Sequence, residues 1–247
     1  MDYLKIAMLN ASGNIGKSTL CETLIKPRFK GSEWISVESI NSDNNDDVNK
    51  ISSKNMIKTI QKIDEFDKCI IDVGSSNLEN FFDGLKNGTH EDIDFYCVPV
   101  TPVHKVEVDT ITTIESLLNI GVEAEQIKII FNKVNLEESL ADQFPLLFSN
   151  KELVKLFHLN DETLLSIVPD GLCFQLLNEI DKKYIELKND TTDYRIKTQK
   201  AKSANDKKYY SLVKSCKRWV NQHEKHLEIA FSNLQILEVE TETEVEA

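Results

Sequence analysis

Residues 3–20, YLKIAMLNASGNIGKSTL, decide how the rest of the chain is interpreted. The stretch starts with an apolar run from Leu4 to Leu9, which predicts a buried parallel strand. A short polar turn follows, and from Lys17 onward the pattern is helical. A strand, a turn of small residues and a helix, in this order, are the context that a phosphate-binding loop requires. The backbone N–H groups of the turn and of the helix N-terminus can then point at one anion.

The turn supplies the candidate phosphate ligands. We expect Lys17 to reach the β- and γ-phosphates of a nucleotide and the Ser18 hydroxyl to bind Mg²⁺. The usual spacing is G-x-x-x-x-G-K-[ST]. Ala11 stands at the position of the first glycine, and alanine is the next smallest residue. The alternative is a chance Gly-Lys-Ser between a strand and a helix. The nucleotide-binding residues predicted from the loop are Ala11, Ser12, Gly13, Asn14, Ile15, Gly16, Lys17, Ser18 and Thr19.

Composition is that of a globular protein. The chain has 247 residues, of which 40% are hydrophobic and 28% charged, with a net charge of −12. No run is long and apolar enough to predict a membrane span, and the N-terminal residues do not resemble a secretion leader. The five cysteines are scattered through apolar runs, so we expect reduced core thiols in a cytoplasmic protein.

Beyond the first helix, apolar strand-like runs alternate with helical patterns in units of about 30 residues. This alternation predicts an α/β fold, a doubly wound, mostly parallel sheet with helices on both faces. We assign residues 1–190 to this nucleotide-binding domain. Ligands of such sheets bind at the carboxyl ends of the strands, so polar residues at those ends are the remaining site candidates.

Two carboxylates at predicted strand ends are candidates for catalysis. Asp72 lies near the end of the run Phe66–Val73 and comes about 55 residues after Lys17, where a P-loop NTPase places its magnesium-side carboxylate. Its alternative role is a helix cap. Glu38 ends the second strand and could orient the attacking water, as could Asp43 in the adjoining loop; the alternative is a solvated strand-end acid. The predicted catalytic residues are therefore Lys17, Glu38 and Asp72, with Ser18 and Asp72 as metal ligands.

The strand end Asn132-Lys133-Val134-Asn135 approaches the guanine-reading pattern N-K-x-D. In that pattern the aspartate accepts two guanine N–H bonds, which the neutral amide of Asn135 cannot do. We therefore expect ATP as the nucleotide, with Asn132 at the base edge. Pro169, at the end of the strand Leu164–Pro169, is the other predicted nucleotide-binding residue.

Charge is distributed unevenly along the chain. Residues 182–225 carry thirteen Lys or Arg against five Asp or Glu, whereas residues 1–181 carry 16 basic and 30 acidic groups. We assign residues 191–236 to a basic helical extension and residues 237–247 to an acidic disordered tail. An apolar stripe through the extension predicts docking on the body or on a second subunit. Its lysines favour a solvated face, with non-specific DNA contact as the alternative.

Five motifs together resemble the ParA/MinD-type P-loop ATPases, which partition plasmids and chromosomes or position division sites. They are GNIGKSTL (residues 13–20), IIDVG (70–74), VPVTP (98–102), IIFNKV (129–134) and IVPD (167–170). With SVESIN (36–41) as the second strand, the chain is most similar to the StbB-like plasmid-stability proteins. The resemblance covers about residues 1–190. It implies a deviant-Walker ATPase that uses Mg²⁺, dimerises with nucleotide, hydrolyses ATP weakly and acts with a DNA-binding adaptor protein.

The chain departs from this family at two loop positions. The family's loop is K-G-G-x-G-K-[ST], and its first lysine contacts the nucleotide of the partner subunit. Ser12 stands at that position and Asn14 replaces the second glycine. The family's D-x-D on the second strand is also absent, and Glu38, Asn41 or Asp43 could substitute for it. Two alternatives therefore remain, a small-molecule kinase or ligase and a nucleotide-gated interaction module that does not hydrolyse ATP.

Overall fold

A seven-stranded, all-parallel sheet forms the centre of the fold in the computed structural model, which describes residues 3–38, 49–52, 56–86 and 89–236. The strand order is β3-β2-β4-β1-β5-β6-β7, and every neighbouring pair is parallel. This confirms the doubly wound α/β fold. The strands are β1 (Leu4–Met8), β2 (Glu33–Glu38), β3 (Asn49–Ser52), β4 (Lys68–Val73), β5 (Phe95–Val100), β6 (Ile127–Val134) and β7 (Ser166–Pro169).

Eleven α-helical segments connect and cover the strands within the described residues. The first continues without a break into a π-helical turn, Cys21–Ile25. The segments are α1 (Lys17–Leu20), α2 (Met56–Asp64), α3 (Leu78–Leu85), α4 (His104–Ile120), α5 (Leu140–Gln143), α6 (Pro145–Ser149), α7 (Lys151–Leu156), α8 (Leu172–Ile180), α9 (Tyr184–Asn189), α10 (Tyr194–Lys200) and α11 (Ala204–Leu234). Within the described parts of the chain, no helix is both long and apolar enough to cross a membrane.

The apolar strands are buried on both faces, as a parallel sheet requires. One core lies between the sheet and helices α2–α7. The other lies beneath α1, α8, α9 and α11. All five cysteines are buried free thiols, as the sequence predicts. Because β1 lies between β4 and β5 in the sheet, the loop that follows β1 emerges at the centre of the carboxyl edge.

The basic extension consists of two helices and not one. The break falls at residues 201–203, where the Ser203 hydroxyl accepts a hydrogen bond from Asp206 N and begins α11. Helix α11 packs against β7 and α8, which confirms docking on the body. Its buried face carries Val213, Cys216, Val220, His223 and Leu227.

Two aromatic residues of α11 are less buried than the face that packs on the body. Tyr209 and Trp219 are each 42% exposed. The far end of α11 is held by Asn233, whose amide donates to the carbonyl oxygens of Thr163 and Leu165 just before β7. The division at residue 190 stays a prediction, and the predicted tail lies outside the described residues.

Candidate nucleotide site

The loop between β1 and α1 has the backbone of an anion-binding turn. Gly16 caps α1 with φ +90°, a conformation that favours glycine. A Cβ atom at Gly16 would also lie 2.9 Å from Asn132 Nδ2, which is closer than a side chain tolerates. Asn14 has φ +57°, which an asparagine adopts more readily than most residues. The loop therefore places glycine where the turn needs it and tolerates asparagine at the position of the second family glycine.

Asn10 fixes the first half of the loop from within. Its buried amide donates to Pro99 O at 2.9 Å and to Thr110 Oγ1 at 2.7 Å, and its Oδ1 accepts from Ser12 N at 2.7 Å. The backbone N–H of Ala11 donates to Thr113 Oγ1 at 3.2 Å. These bonds tie the loop to the end of β5 and to α4, so the backbone N–H groups of Ala11 and Ser12 have protein partners.

Ser12 is bonded to an acid that sequence inspection does not single out. Its hydroxyl donates to Asp109 Oδ2 at 2.5 Å, and Ser12 itself is buried. The position at which the resembling family carries a lysine toward its partner subunit is therefore turned into the protein and bonded to α4. Thr110 and Thr113, which also hold the loop, lie on the same helix, and their polar character within an apolar helix face was the available signal.

Lys17 lies beneath the loop, close enough to Asp72 for their charges to interact. Lys17 Nζ donates to the carbonyl oxygens of Asn10, at 3.2 Å, and Ser12, at 2.6 Å. Burial lowers the pKa of Lys17, and the negative charge of Asp72 opposes that shift. Asp72 is only 4% exposed and lies next to Met8 across the β1–β4 pair. A cation and a carboxylate are thus held at one end of the loop, where Ser18 and Thr19 remain exposed.

The other predicted site residues lie at the ends of β2, β6 and β7. The backbone of Glu38 ends β2, but the description of the structure does not extend to its side chain, and Asn41 and Asp43 lie outside the described residues. Asn132 ends near the loop itself, where its amide donates to Ile15 O at 2.8 Å. Asn132 therefore supports the loop, whereas its contact with a base stays a prediction. Pro169 is the last residue of β7 and is buried.

A cleft of about 1530 Å³ starts at the loop and continues between α1 and the α8–α9 region. Lys17, Ser18, Asn132 and Pro169 line its first part, and Phe174, Tyr184 and His223 line its far part. Six lysines and three carboxylates contribute to its wall, an excess of positive charge in a protein whose net charge is −12. The volume and the charge suit a ligand as large and as anionic as a nucleoside triphosphate.

The residues also fit the magnesium ion that would accompany a nucleotide. Mg²⁺ takes few protein ligands and keeps its other positions for phosphate and water. The exposed hydroxyl of Ser18 and the carboxylate of Asp72 belong to the same corner of the site, one in the first turn of α1 and one on the adjacent strand β4.

A hub of charges behind the cleft joins three elements far apart in sequence. Glu224 of α11 accepts from Arg28, which follows the π-helical turn, at 2.5 Å and from Lys188 of α9 at 2.5 Å. Tyr184 OH donates to the second oxygen of Glu224 at 2.9 Å. Burial alone would raise the pKa of Glu224, but the bond from Lys188, the charge of Arg28 and the bond from Tyr184 lower it. The hub fixes α11 to the segment that continues from the phosphate loop.

No protein-family model matches the sequence, and a comparison with curated proteins gives no match. Among solved structures, the chain is similar to the MinC:MinD cell division complex of Aquifex aeolicus, at 16% identity and a TM-score of 0.45, over 71% of this chain and 84% of that one. It is similar to MinD of Aquifex aeolicus at 13% identity and a TM-score of 0.47, covering 86% and 96% of the two chains.

A third similar structure is that of a putative plasmid partition protein from Borrelia burgdorferi, bound to AMPPNP. The identity is 13% and the TM-score 0.46, over 87% of this chain and 98% of that one. Because the TM-scores are below 0.5, we base the function on this chain's own residues.

Proposed function

We propose that this protein is a nucleotide-dependent switch that binds Mg·ATP in the cleft and hydrolyses it slowly. The observation that carries the proposal is the placement of Lys17 within electrostatic reach of Asp72, beneath a glycine-capped loop at the centre of a parallel sheet. Neither residue alone distinguishes a nucleotide site from a structural ion pair. Together with the exposed Ser18 and the excess of lysines along the cleft, they form the charge arrangement that a triphosphate and its metal require.

Each residue has a role in this proposal. Lys17 exchanges its loop carbonyl partners for the β- and γ-phosphates, whose negative charge would offset the burial that lowers the pKa of Lys17. Ser18 and Asp72 hold Mg²⁺, which neutralises charge on the phosphates. Glu38 ends the strand two places from β1 in the sheet order and is the candidate for orienting the attacking water. Asn132 keeps the loop in its binding conformation through Ile15.

The biological role follows from the motif resemblance to ParA/MinD-type ATPases and is part of the same proposal. We place the protein in plasmid partition or stability, with a DNA-binding adaptor protein as its partner and a homodimer as its ATP-bound state. Five buried free thiols suit the reducing cytoplasm. The basic face of α10 and α11 is a candidate for non-specific DNA contact.

Calorimetric titration of Mg·ATP tests nucleotide binding. We expect Lys17→Ala to weaken binding at least a hundredfold, because it removes the buried cation of the loop. Lys133→Ala is the matched control, since Lys133 also lines the cleft but is exposed and lies outside the loop. Its effect should stay within about threefold. Equal ATP affinity in the wild type and Lys17→Ala would overturn the proposal.

A nucleotide-gated module that does not hydrolyse ATP is the second candidate, and the Ser12–Asp109 bond favours it. With Ser12 bonded inward, the loop lacks the charged group that the resembling family directs at its partner subunit. Light scattering after gel filtration, with ADP and with a slowly hydrolysed ATP analogue, tests the dimer. Phosphate release with ATP then separates the two candidates: an ATP-specific dimer with turnover supports the switch, and an ATP complex without turnover supports the module.

A further inference from the structure

The far part of the cleft contains a buried nitrogen that no protein group satisfies. Within the described residues, five buried side-chain atoms lack a hydrogen-bond partner, and two of them belong to residues that line the cleft: Trp34 Nε1 and His223 Nε2. His223 is the more buried of the two, at 5% exposure. Buried polar atoms in folded proteins are nearly always hydrogen-bonded to protein, water or ligand. A bound ligand that bonds to His223 Nε2 would therefore explain why no protein group does.

His223 is surrounded by aromatic rings that also face the cleft. Its imidazole meets the ring of Phe174 edge-on, with the centroids 5.4 Å apart, and the ring of Tyr184 edge-on at 6.1 Å. Phe174 and Tyr184 are themselves stacked, with centroids 5.7 Å apart. Tyr184 is buried, whereas Phe174 is partly exposed and therefore offers ring surface to the cleft. Flat, apolar surface of this kind suits another planar ring.

This ring cluster is continuous with the strand ends. Phe174 lies in the first turn of α8, its N–H donates to Gly171 O at 3.1 Å, and a Cβ atom on Gly171 would lie 3.1 Å from the Phe174 ring. Gly171 follows Pro169 by two residues at the end of β7, beside Asn132 on β6. A ligand that starts at the phosphate loop and crosses the ends of β6 and β7 thus meets Phe174 next.

Two lysines near the ring cluster are paired with carboxylates. Lys182 pairs with Glu186 at 2.6 Å, and Lys188 pairs with Glu224 at 2.5 Å. Burial lowers the pKa of His223 to about 4, so its imidazole is neutral at pH 7 and can donate or accept one hydrogen bond at Nε2. A neutral, aromatic surface with one hydrogen-bonding nitrogen suits an uncharged heterocycle and not a phosphate group.

We propose that Phe174 and His223 read the base of the bound nucleotide, with the purine ring against Phe174 and its edge hydrogen-bonded to His223 Nε2. The C-terminal helix α11 thereby contributes a specificity-determining residue to a site that begins at the N-terminus of the chain. This inference rests on the proposed nucleotide binding, and it adds that the base, as distinct from the phosphates, is sensed by α11.

The experiment compares two magnesium-bound probes, ATP and inorganic triphosphate, which differ in the nucleoside. His223→Phe keeps an aromatic ring among Phe174 and Tyr184 and removes the nitrogen. We expect it to weaken ATP binding about tenfold and to leave triphosphate binding unchanged. His226→Phe is the matched control, because His226 lies one turn further along α11 and is not among the residues that line the cleft. Both affinities should be unchanged in His226→Phe.

A spectroscopic readout on the wild type removes any dependence on how the variants fold. In the long-range ¹H–¹⁵N spectrum of the imidazole, the Nε2 signal of His223 should shift when ATP is added and stay in place with triphosphate. Either of two results overturns the inference: an unshifted Nε2 signal with ATP bound, as expected if an ordered water satisfies the nitrogen, or equal losses of ATP and triphosphate affinity in His223→Phe. Failure of the wild type to bind either probe would instead overturn the proposed nucleotide binding.

Discussion

The two ends of the cleft are built in opposite ways. At the loop end, residues 10–18 supply the loop and its cation within nine consecutive positions. The shape of this end depends on the backbone conformation of the loop. At the far end, Phe174, Tyr184 and His223 come from three separate helices and meet only when α11 packs on α8. The lining of the first end therefore comes from one stretch of sequence, whereas that of the second end exists only in the assembled fold.

This difference predicts different weaknesses. A local loop depends on a few backbone conformations and fails when one of them is forbidden. The ring cluster depends on the contacts that hold α8, α9 and α11 together. It is lost when those contacts are removed, even at residues that touch no ligand. The Glu224 hub and Gly16 are the clearest examples of the two cases.

Glu224→Gln has the largest expected effect on stability. It leaves Arg28, 8% exposed, and Lys188 without their shared carboxylate, and removing one partner of a buried ion pair costs about 3 to 5 kcal/mol. Urea unfolding measures the loss. Glu228→Gln is the control, because Glu228 also pairs with Arg28 but is 63% exposed, and we expect less than about 1 kcal/mol. Equal losses in the two variants would show that α11 is not held by the hub.

Gly16→Ala tests the loop end in the same way. The substitution forces a side chain into φ +90° and against Asn132 Nδ2 at 2.9 Å, so we expect a loss of about 2 to 3 kcal/mol and at least tenfold weaker ATP binding. The control is Gly31→Ala, where φ is +76° but no atom lies within 4 Å of the new Cβ. It should cost about 1 kcal/mol and leave ATP affinity unchanged. A Gly31→Ala protein with weakened ATP binding would contradict the local account.

The same contrast explains what could be predicted from sequence. Alternating strands and helices predicted the parallel sheet, which the structure confirms. The loop spacing singled out Lys17 and the strand end singled out Asp72, and the structure places the two side chains within electrostatic reach. Both signals are short-range sequence patterns. The partners of the loop could not be predicted this way. Asp109 lies 97 positions from Ser12, and only the packing of α4 on β5 brings them together.

The ring cluster of Phe174, Tyr184 and His223 could not be predicted from the sequence, for the same physical reason. His223 belongs to a helix whose composition indicates a basic, solvated element, and the residues that line the cleft follow from how α11 packs. His223 is buried, whereas Trp219, one helical turn before it on α11, is 42% exposed. Asn132 illustrates the converse, since its position at the end of β6 was predicted but its bond to Ile15 was not.

We expect acidification to lower the folding stability of the wild type through protonation of His223 in the unfolded chain. Burial lowers its pKa to about 4, His226 adds to the lowering, and Glu224 and Asp170 oppose it; the Tyr184 ring also faces it. Because the unfolded chain has a histidine pKa of about 6.5, it binds more protons than the folded protein between these values. Stability is therefore highest above pH 6.5 and falls toward pH 4, by about 2 kcal/mol between pH 7 and pH 5.

Urea unfolding at pH 7 and pH 5 measures this loss. His223→Phe should lack this part of the dependence and retain only what the other groups contribute. Parallel pH profiles for the wild type and His223→Phe would show that the imidazole is already protonated or solvated in the folded protein.

Ser12→Ala has the smallest expected effect and probes the loop where it departs from the resembling family. It removes the bond to Asp109 Oδ2 and should cost about 1 kcal/mol in urea unfolding. Ser116→Ala on the same helix α4 is the control, since that exposed hydroxyl bonds only to Thr112 O of its own helix, and its effect should stay within about 0.5 kcal/mol. If the Ser12–Asp109 bond holds the loop in its binding conformation, Ser12→Ala also weakens Mg·ATP binding several-fold. Unchanged affinity with the expected loss of stability would give that bond a structural role alone, with no part in nucleotide binding.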